Sequence, residues 1–326
     1  MIDNDFKAAI DMINRADSIV VISHVNPDGD ALGSMVGFAA AALQSGKKIS
    51  LCAQQNIAGR CDFVTNGMHF EPAENFPALA KQADAIVVVD TNSTNQLGDF
   101  AQVVSQHKSK TCIFDHHLTS DNLGAVNFTD HTASAAGLIV LELLQMLGWS
   151  INEKSRDSLA VAMLTDTGWL RFSNADSRTL RAIAYLVDQG AKLSEISDAI
   201  SNNLRIEKLR LTQRALASIE LFFEGKLSIM TLTLDDFAQT GATEDETEAI
   251  VNQAMQVATV ESSVIIVQTP EVNRVSLRSR KFVDVAAIAR GLGGGGHARA
   301  AGCKVAGSPE QVKQKIVELY REKLGG

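Results

Sequence analysis

The sequence predicts an α/β protein with two domains and a helical link between them. An N-terminal domain built on a mainly parallel, doubly wound sheet is expected over 1–203, a helical connector over 204–225 and a smaller C-terminal α/β domain over 226–326. Three observations carry this. Residues 19–22, 85–89 and 111–114 are continuous apolar runs, as central parallel strands covered on both faces require. Helical patterns separate those runs, the signature of βαβ units. At 326 residues the chain is also long for a single hydrophobic core.

In chain order, 5–15 reads as an opening helix, 19–22 as the first strand and 31–43 as a helix of small apolar residues. Strands follow at 48–53, 85–89 and 111–114, then helices at 133–147, 153–164, 175–189 and 193–202. The stretch 204–220 is charged and amphipathic, and reads as the connector. Beyond it come a strand at 226–232, a helix at 244–257 and strands at 264–268 and 272–278 with Pro270 in the turn. A short helix at 283–290 leads into the glycine-rich run 291–302. The acidic run 243–248 reads as a solvated helix start, where acids suit the dipole.

Chemistry concentrates where strands end. Ser23-His24-Val25-Asn26-Pro27-Asp28-Gly29-Asp30 follows the first strand, Asp90 ends the third and Asp115-His116-His117 ends the fourth. The carboxyl edge of an open α/β sheet is where ligands bind. Asp28 and Asp30 beside an imidazole repel each other unless a cation lies between them. The plainer reading is a polar turn in which Asp30 caps the next helix. Asp166 closes an apolar helical run at its C-terminal end, where the dipole disfavours an anion, and a metal would compensate it.

Composition narrows the function. The net charge is −8, from 30 basic and 38 acidic residues, which argues against a broad electrostatic grip on long nucleic acid. Aromatic residues make up 5%, too few for an extended single-strand stacking platform. Cys52, Cys61, Cys112 and Cys303 form no C-x-x-C pair, so no zinc ribbon or thioredoxin-type site is expected. The start lacks a signal-peptide pattern and no apolar run is long enough to span a bilayer, so a cytoplasmic protein without membrane contact is expected.

Gly291 to Gly296 spells G-x-G-x-x-G, yet a helix precedes it near the chain's end, the wrong setting for a dinucleotide fingerprint. Backbone N–H groups of Gly294, Gly295 and Gly296 approaching an anion, with His297 beside them, fit better. Arg278 could reach the same anion through its planar fork, although a surface strand arginine is the commoner case.

These motifs, in this order, resemble the DHH phosphoesterase family, in the branch with a DHH-associated C-terminal domain of the first type. Within it the likeness is to the nanoRNase and phosphoadenosine-phosphate phosphatase group. The residues are His24 to Asp30, Asp90 in Val89-Asp90-Thr91, Asp115-His116-His117, Thr165-Asp166-Thr167-Gly168, Ser276-Leu277-Arg278-Ser279, and Gly294 to His297 with Ala300-Ala301-Gly302. The resemblance implies two Mn²⁺ ions, with Mg²⁺ or Co²⁺ as substitutes. It places His24 and Asp28 on one ion, Asp30, His116 and Asp166 on the other, and Asp90 between them. Asp115 would orient a neighbour, and His117 would face the scissile phosphate. Ser276, Arg278, Gly294, Gly295, Gly296 and His297 would bind substrate on a domain facing the metals across a cleft.

The implied reaction is attack by a hydroxide bridging the ions on short oligoribonucleotides, giving 5′-mononucleotides, or on 3′-phosphoadenosine 5′-phosphate, giving AMP. The alternative is a cyclic dinucleotide phosphodiesterase, acting on cyclic di-AMP or its linear product. Further off are a pyrophosphatase or exopolyphosphatase and a non-catalytic nucleotide sensor. A homodimer is the prior for the assembly. Leu170 stands where the related pattern often has an aromatic residue. Arg171 and Phe172 read as substrate contacts or as packing. Trp149 and Trp169 read as packing, and His69, His107 and His131 as ordinary surface or loop histidines.

Overall fold

The computed structural model describes residues 4–55, 57, 61–118, 120–201, 205–247 and 249–324. The chain divides into two compact units, 1–203 and 204–326. The domain boundary expected at 203/204, and Glu248 of the acidic run, lie outside the described residues.

The first unit is built on strands β1 (Ser18–Ile22), β2 (Lys48–Ala53), β3 (Phe70–Pro72), β4 (Ala85–Val89), β5 (Thr111–Asp115) and β6 (Val126–Thr129). They pair in parallel in the order β3-β2-β1-β4-β5-β6. The order reverses between β1 and β4, which makes their carboxyl ends a switch point. Alternate residues supply opposite faces. Ile19, Val21, Val87 and Phe114 join one buried cluster, while Val20, Ile22, Val88 and Ile113 join another with Phe76, Leu97 and Phe100. Both faces are covered, which is why the strands read as unbroken apolar runs. Short β3 and β6 carry no such run and were not expected from sequence.

Helices of nine or more residues in this unit are α1 (Asn4–Arg15), α2 (Gly29–Gln44), α3 (Ala136–Leu147), α4 (Glu153–Asp166), α5 (Ser177–Asp188) and α6 (Leu193–Ser201). α2 is buried from Asp30 through Ala42. Gly29, Gly33 and Gly37 recur every four residues and so share one face of α2. A β-carbon there would stand 2.6 Å from Thr165, 2.5 Å from the Ser158 carbonyl oxygen and 2.6 Å from Leu159 respectively. Glycine at these positions lets α4 press against α2, which sets the end of α4 beside the start of α2.

In the second unit, β7 (Glu220–Phe222), β8 (Leu227–Leu232), β9 (Ser262–Gln268), β10 (Asn273–Ser279), β11 (Gly295–His297) and β12 (Ala300–Val305) form a mixed sheet ordered β11-β12-β10-β9-β8-β7. Only the β8–β9 pairing in it is parallel among the described strands. Helix α7 (Ile206–Ala217) buries Leu211 and Ala215 against Met230 and Ile265 on one face. Helix α8 (Pro309–Leu324) buries Val312, Ile316 and Tyr320 against the other. The helix expected over 244–257 is two short pieces, Glu244–Thr247 and Val251–Ala254. Ala249 between them has φ 65°, a left-handed conformation that no right-handed helix can continue through.

Candidate metal centre

The carboxyl ends of β1, β4 and β5 and the last turn of α4 bring together His24, Asp28, Asp30, Asp90, His116, His117 and Asp166. Three overlapping sets have ligand-type atoms within 4.8 Å of one another: His24, Asp28 and Asp90; Asp30, His116 and Asp166; and Asp90, His116 and His117. Asp90 stands between the imidazoles, with His24 Nε2 3.3 Å from its Oδ2 and His116 Nε2 3.3 Å from its Oδ1. His116 Nε2 also lies 3.6 Å from Asp30 and 3.7 Å from Asp166.

Local structure explains each placement. Asp90 has φ 62°, and its N–H donates to the Phe114 carbonyl, so the chain leaves β4 in a left-handed step. Such a conformation in a non-glycine residue is costly and concentrates at functional sites. Ser23 Oγ donates to the Val89 carbonyl and ties the ends of β1 and β4 together. Asp28, rather than Asp30, caps α2: its Oδ1 accepts the N–H groups of Asp30 and Ala31. Asp30 is freed from capping its own helix and accepts instead from Ser34 Oγ and from the N–H groups of Ala136 and Gly137. Asp115 Oδ1 accepts the backbone N–H groups of His116 and His117 and lies 2.8 Å from His117 Nδ1.

After Asp166 the chain reverses through Gly168, Trp169 and Leu170 at φ 56°, 60° and 61°. Trp169 N–H donates to the Leu164 carbonyl and closes the helix end. Trp169 packs on the core, and Trp149 lies 5.8 Å from the Phe38 ring. Arg171 Nε donates to the Gly168 carbonyl, while the Phe172 ring covers Gly168 and is 58% exposed.

The electrostatics favour a cation. Asp90 Oδ1 is buried and has only the His116 imidazole at 3.3 Å and that of His117 at 3.7 Å to satisfy it, neither at good hydrogen-bond geometry, and a metal would complete its coordination. Burial, with Asp90 and Asp166 nearby, raises the Asp30 carboxyl well above its usual range. Burial also pushes Asp166 up to about 6. Burial raises Asp90 too, but hydrogen bonds from His116 and His24 outweigh it and lower the net value. His116 is held up at about 9, burial being outweighed by Asp90, Asp30 and Asp166. Hard carboxylate oxygens with imidazole suit a divalent ion of the magnesium-to-manganese class. The residues present therefore fit a divalent metal.

The sequence reading missed the parts that set this geometry: the glycine face of α2, Ser34, and the Ala136 and Gly137 amides. The four-residue glycine spacing was the one signal available for the first.

In the second unit, cross-strand register places Arg278, Ala300 and His297 in one row and Ser276, Gly302 and Gly295 in the next. Paired residues share a sheet face, so Ser276 and Arg278 are separated from Gly295 and His297 by a strip of small residues. Gly294 and Gly296 lie too close to β12 for side chains: a β-carbon would stand 2.2 Å from the Gly302 oxygen and 2.6 Å from the Ala300 oxygen. Gly295 and Gly296 lie in edge strand β11 rather than in a free loop, and Gly294 immediately precedes it. His69, at the other end of the first sheet, is 81% exposed beside Glu71.

Comparison with known proteins agrees with this geometry. The family described as "DHH family, N-terminal domain" matches residues 18–166, and "DHHA1 domain" matches 226–326. The chain is 30% identical to the bifunctional oligoribonuclease and PAP phosphatase NrnA of Thermus thermophilus over 311 residues, 94% of this chain and 90% of that one. It is 23% identical to the Bacillus subtilis protein of the same name over 296 residues, 90% and 91% of the two chains. An exopolyphosphatase-related protein from Bacteroides fragilis shares the fold, with TM-score 0.89 and 21% identity over 99% of this chain and 98% of that one. The chain belongs to the DHH family of phosphoesterases, with the family's N-terminal domain in its first unit and a DHHA1 domain in its second.

Proposed function

We propose that this chain is a manganese-dependent phosphoesterase that hydrolyses short oligoribonucleotides to 5′-mononucleotides and 3′-phosphoadenosine 5′-phosphate to AMP. The observation that carries the reading is the buried Asp90 carboxylate set among His24, His116 and His117, in a chain similar over nearly its whole length to proteins named for those two activities. His24 and Asp28 would hold one ion, Asp30, His116 and Asp166 a second, and Asp90 would bridge them. When bound, such a pair supplies an activated water and neutralises charge on the phosphoryl group.

The chain's own residues do the rest. His117 is 42% exposed against 14% for His116, so His117 is the imidazole open to a substrate. The Asp115 hydrogen bond raises its pKa and keeps a proton on Nδ1. The same hydrogen bond favours the imidazolium, in which Nε2–H is a donor directed away from Asp115 and suited to a phosphoryl or leaving-group oxygen. Arg278 would grip a terminal phosphate by its fork, with Ser276, His297 and the backbone of Gly294 and of Gly295 and Gly296 in β11 as further donors. Ala300 and Gly302 would form the floor beneath the ligand.

The test is product release with Mn²⁺ from a short oligoribonucleotide, 3′-phosphoadenosine 5′-phosphate and cyclic di-AMP, with Asp90→Asn as control. Turnover of the first two, lost in the control, is expected. Preference for the cyclic dinucleotide would transfer the chain to signal turnover, and silence on all three with manganese bound would overturn the reading.

A further inference from the structure

Asp30 owes its place to a distant helix. Its Oδ2 accepts the Ala136 N–H at 2.6 Å, and its Oδ1 accepts the Gly137 N–H at 2.9 Å and Ser34 Oγ at 3.0 Å. These amides open α3, whose N-cap residue Ala135 makes no side-chain cap. A helix start without a cap of its own is thus closed by a carboxylate from another helix, and that carboxylate is oriented in return. The approach leaves no slack, since a β-carbon on Gly137 would stand 2.4 Å from Ala162 Cβ.

Arg178, in the first turn of α5, ties α3 to the segment that precedes it. Its Nε and Nη2 donate to Glu142 Oε1 and Oε2 at 2.7 and 2.5 Å, and its Nη1 donates to Asp130 Oδ2 at 2.5 Å. Glu142 lies on α3, and Asp130 follows β6, where its own N–H donates to the Asp115 carbonyl. The neighbouring Thr179 Oγ1 donates to Ser134 Oγ at 2.8 Å, both residues being buried. The first turn of α5 therefore grips the segment 130–142 at Asp130, Ser134 and Glu142, and the α3 amides that reach Asp30 lie between Ser134 and Glu142. Nη1 also lies 3.4 Å from Thr132 Oγ1.

We propose that Arg178 is a positioning residue for the metal centre: by clamping Glu142 to Asp130 it holds the α3 N-terminus against the Asp30 carboxylate. The guanidinium supplies a planar fork to one carboxylate and a further N–H to another, which a lysine ammonium cannot reproduce. Partners that orient a ligating carboxylate change metal affinity when removed, even when they never touch the ion. The inference rests on Asp30 being a metal ligand.

Mn²⁺ is titrated calorimetrically into the metal-free full chain, as wild type, Arg178→Met, Arg178→Lys, Asp30→Asn and the Asp30→Asn/Arg178→Met double variant. Far-UV circular dichroism of each checks the fold. Arg178→Met is expected to weaken Mn²⁺ binding about 10-fold or more, within the usual 10–100-fold range for such partners. Arg178→Lys falls between it and wild type, and the double variant matches Asp30→Asn alone. Wild-type affinity in Arg178→Met, or losses that multiply in the double variant, would overturn the proposal, because a residue acting only on the fold leaves no such coupling. If Arg178→Met does not fold, Arg178→Lys against the Asp30→Asn background makes the same comparison. Wild-type affinity in Asp30→Asn would instead remove Asp30 from the metal centre.

Discussion

Gly33 of α2 faces the main chain of α4 so closely that a β-carbon on it would stand 2.5 Å from the Ser158 carbonyl oxygen. The same approach carries Asp166, at the end of α4, towards Asp30 at the start of α2. Both carboxylates lie within 4 Å of His116 Nε2. Gly33→Ala is expected to force the helices apart at a cost of about 1–3 kcal/mol. Thermal unfolding should show the lower stability, and the stabilisation gained on adding Mn²⁺ should shrink with it. An unchanged response to Mn²⁺ would separate helix packing from the metal site.

Asp90→Asn keeps a side chain that tolerates the left-handed conformation at φ 62° while removing the central charge. Phosphoesterase activity should fall to background with the fold intact. Metal at 100 times its dissociation constant stabilises a protein by about 2.7 kcal/mol. Melting curves with and without Mn²⁺ should show a gain of that order in wild type and none in the variant.

Asp115→Asn tests the orientation of His117. Its amide oxygen still accepts the backbone N–H groups of His116 and His117, so the loop should hold. The Asp115 hydrogen bond and charge that raise the His117 pKa are weakened, and with them the bias toward the imidazolium in which Nε2 is a donor. The turnover number should drop by about 10²–10⁴, the usual contribution of a positioned acid or base. Mn²⁺ affinity, read by calorimetry, should stay near wild type.

Glu261 gives a pH-dependent stability away from the metal centre. Burial raises its carboxyl, but the N–H groups of Phe282, Lys281 and Val283 outweigh that and hold it below its ordinary 4.5. With the folded value depressed, the stabilisation is fully present above the ordinary value and disappears as pH falls through the folded one. Glu261→Gln should therefore lower the melting temperature at pH 7, and the gap from wild type should narrow below about pH 4.5. A gap that stays constant down to pH 3 would show that shape rather than charge holds the 281–283 turn.

The strand ends were legible because doubly covered parallel strands are unbroken apolar runs, and a polar residue closing each run stands out. His24, Asp90 and His116 could be found that way. What organises them was not legible, because it is tertiary. Asp30 depends on amides 106 residues further along the chain, and no local pattern carries that pairing. Asp28 could have been identified as the α2 cap, since it stands immediately before Gly29, the first helical residue. The break in 244–257 was hidden because alanine, the best helix former, sits at Ala249 in a conformation that the surrounding fold imposes.

The strand order β3-β2-β1-β4-β5-β6 has a consequence for how the protein comes into being. The site's carboxylates and imidazoles come from four separate stretches, 24–30, 90, 115–117 and 166, and the parallel pairings that gather them are long-range and slow to close. A nascent chain that stops short of Asp166 has β1, β4 and β5 but lacks the last carboxylate of the constellation and the end of the helix that seats α2. The full constellation therefore exists only once the chain has been made through Asp166 and the parallel strands have paired.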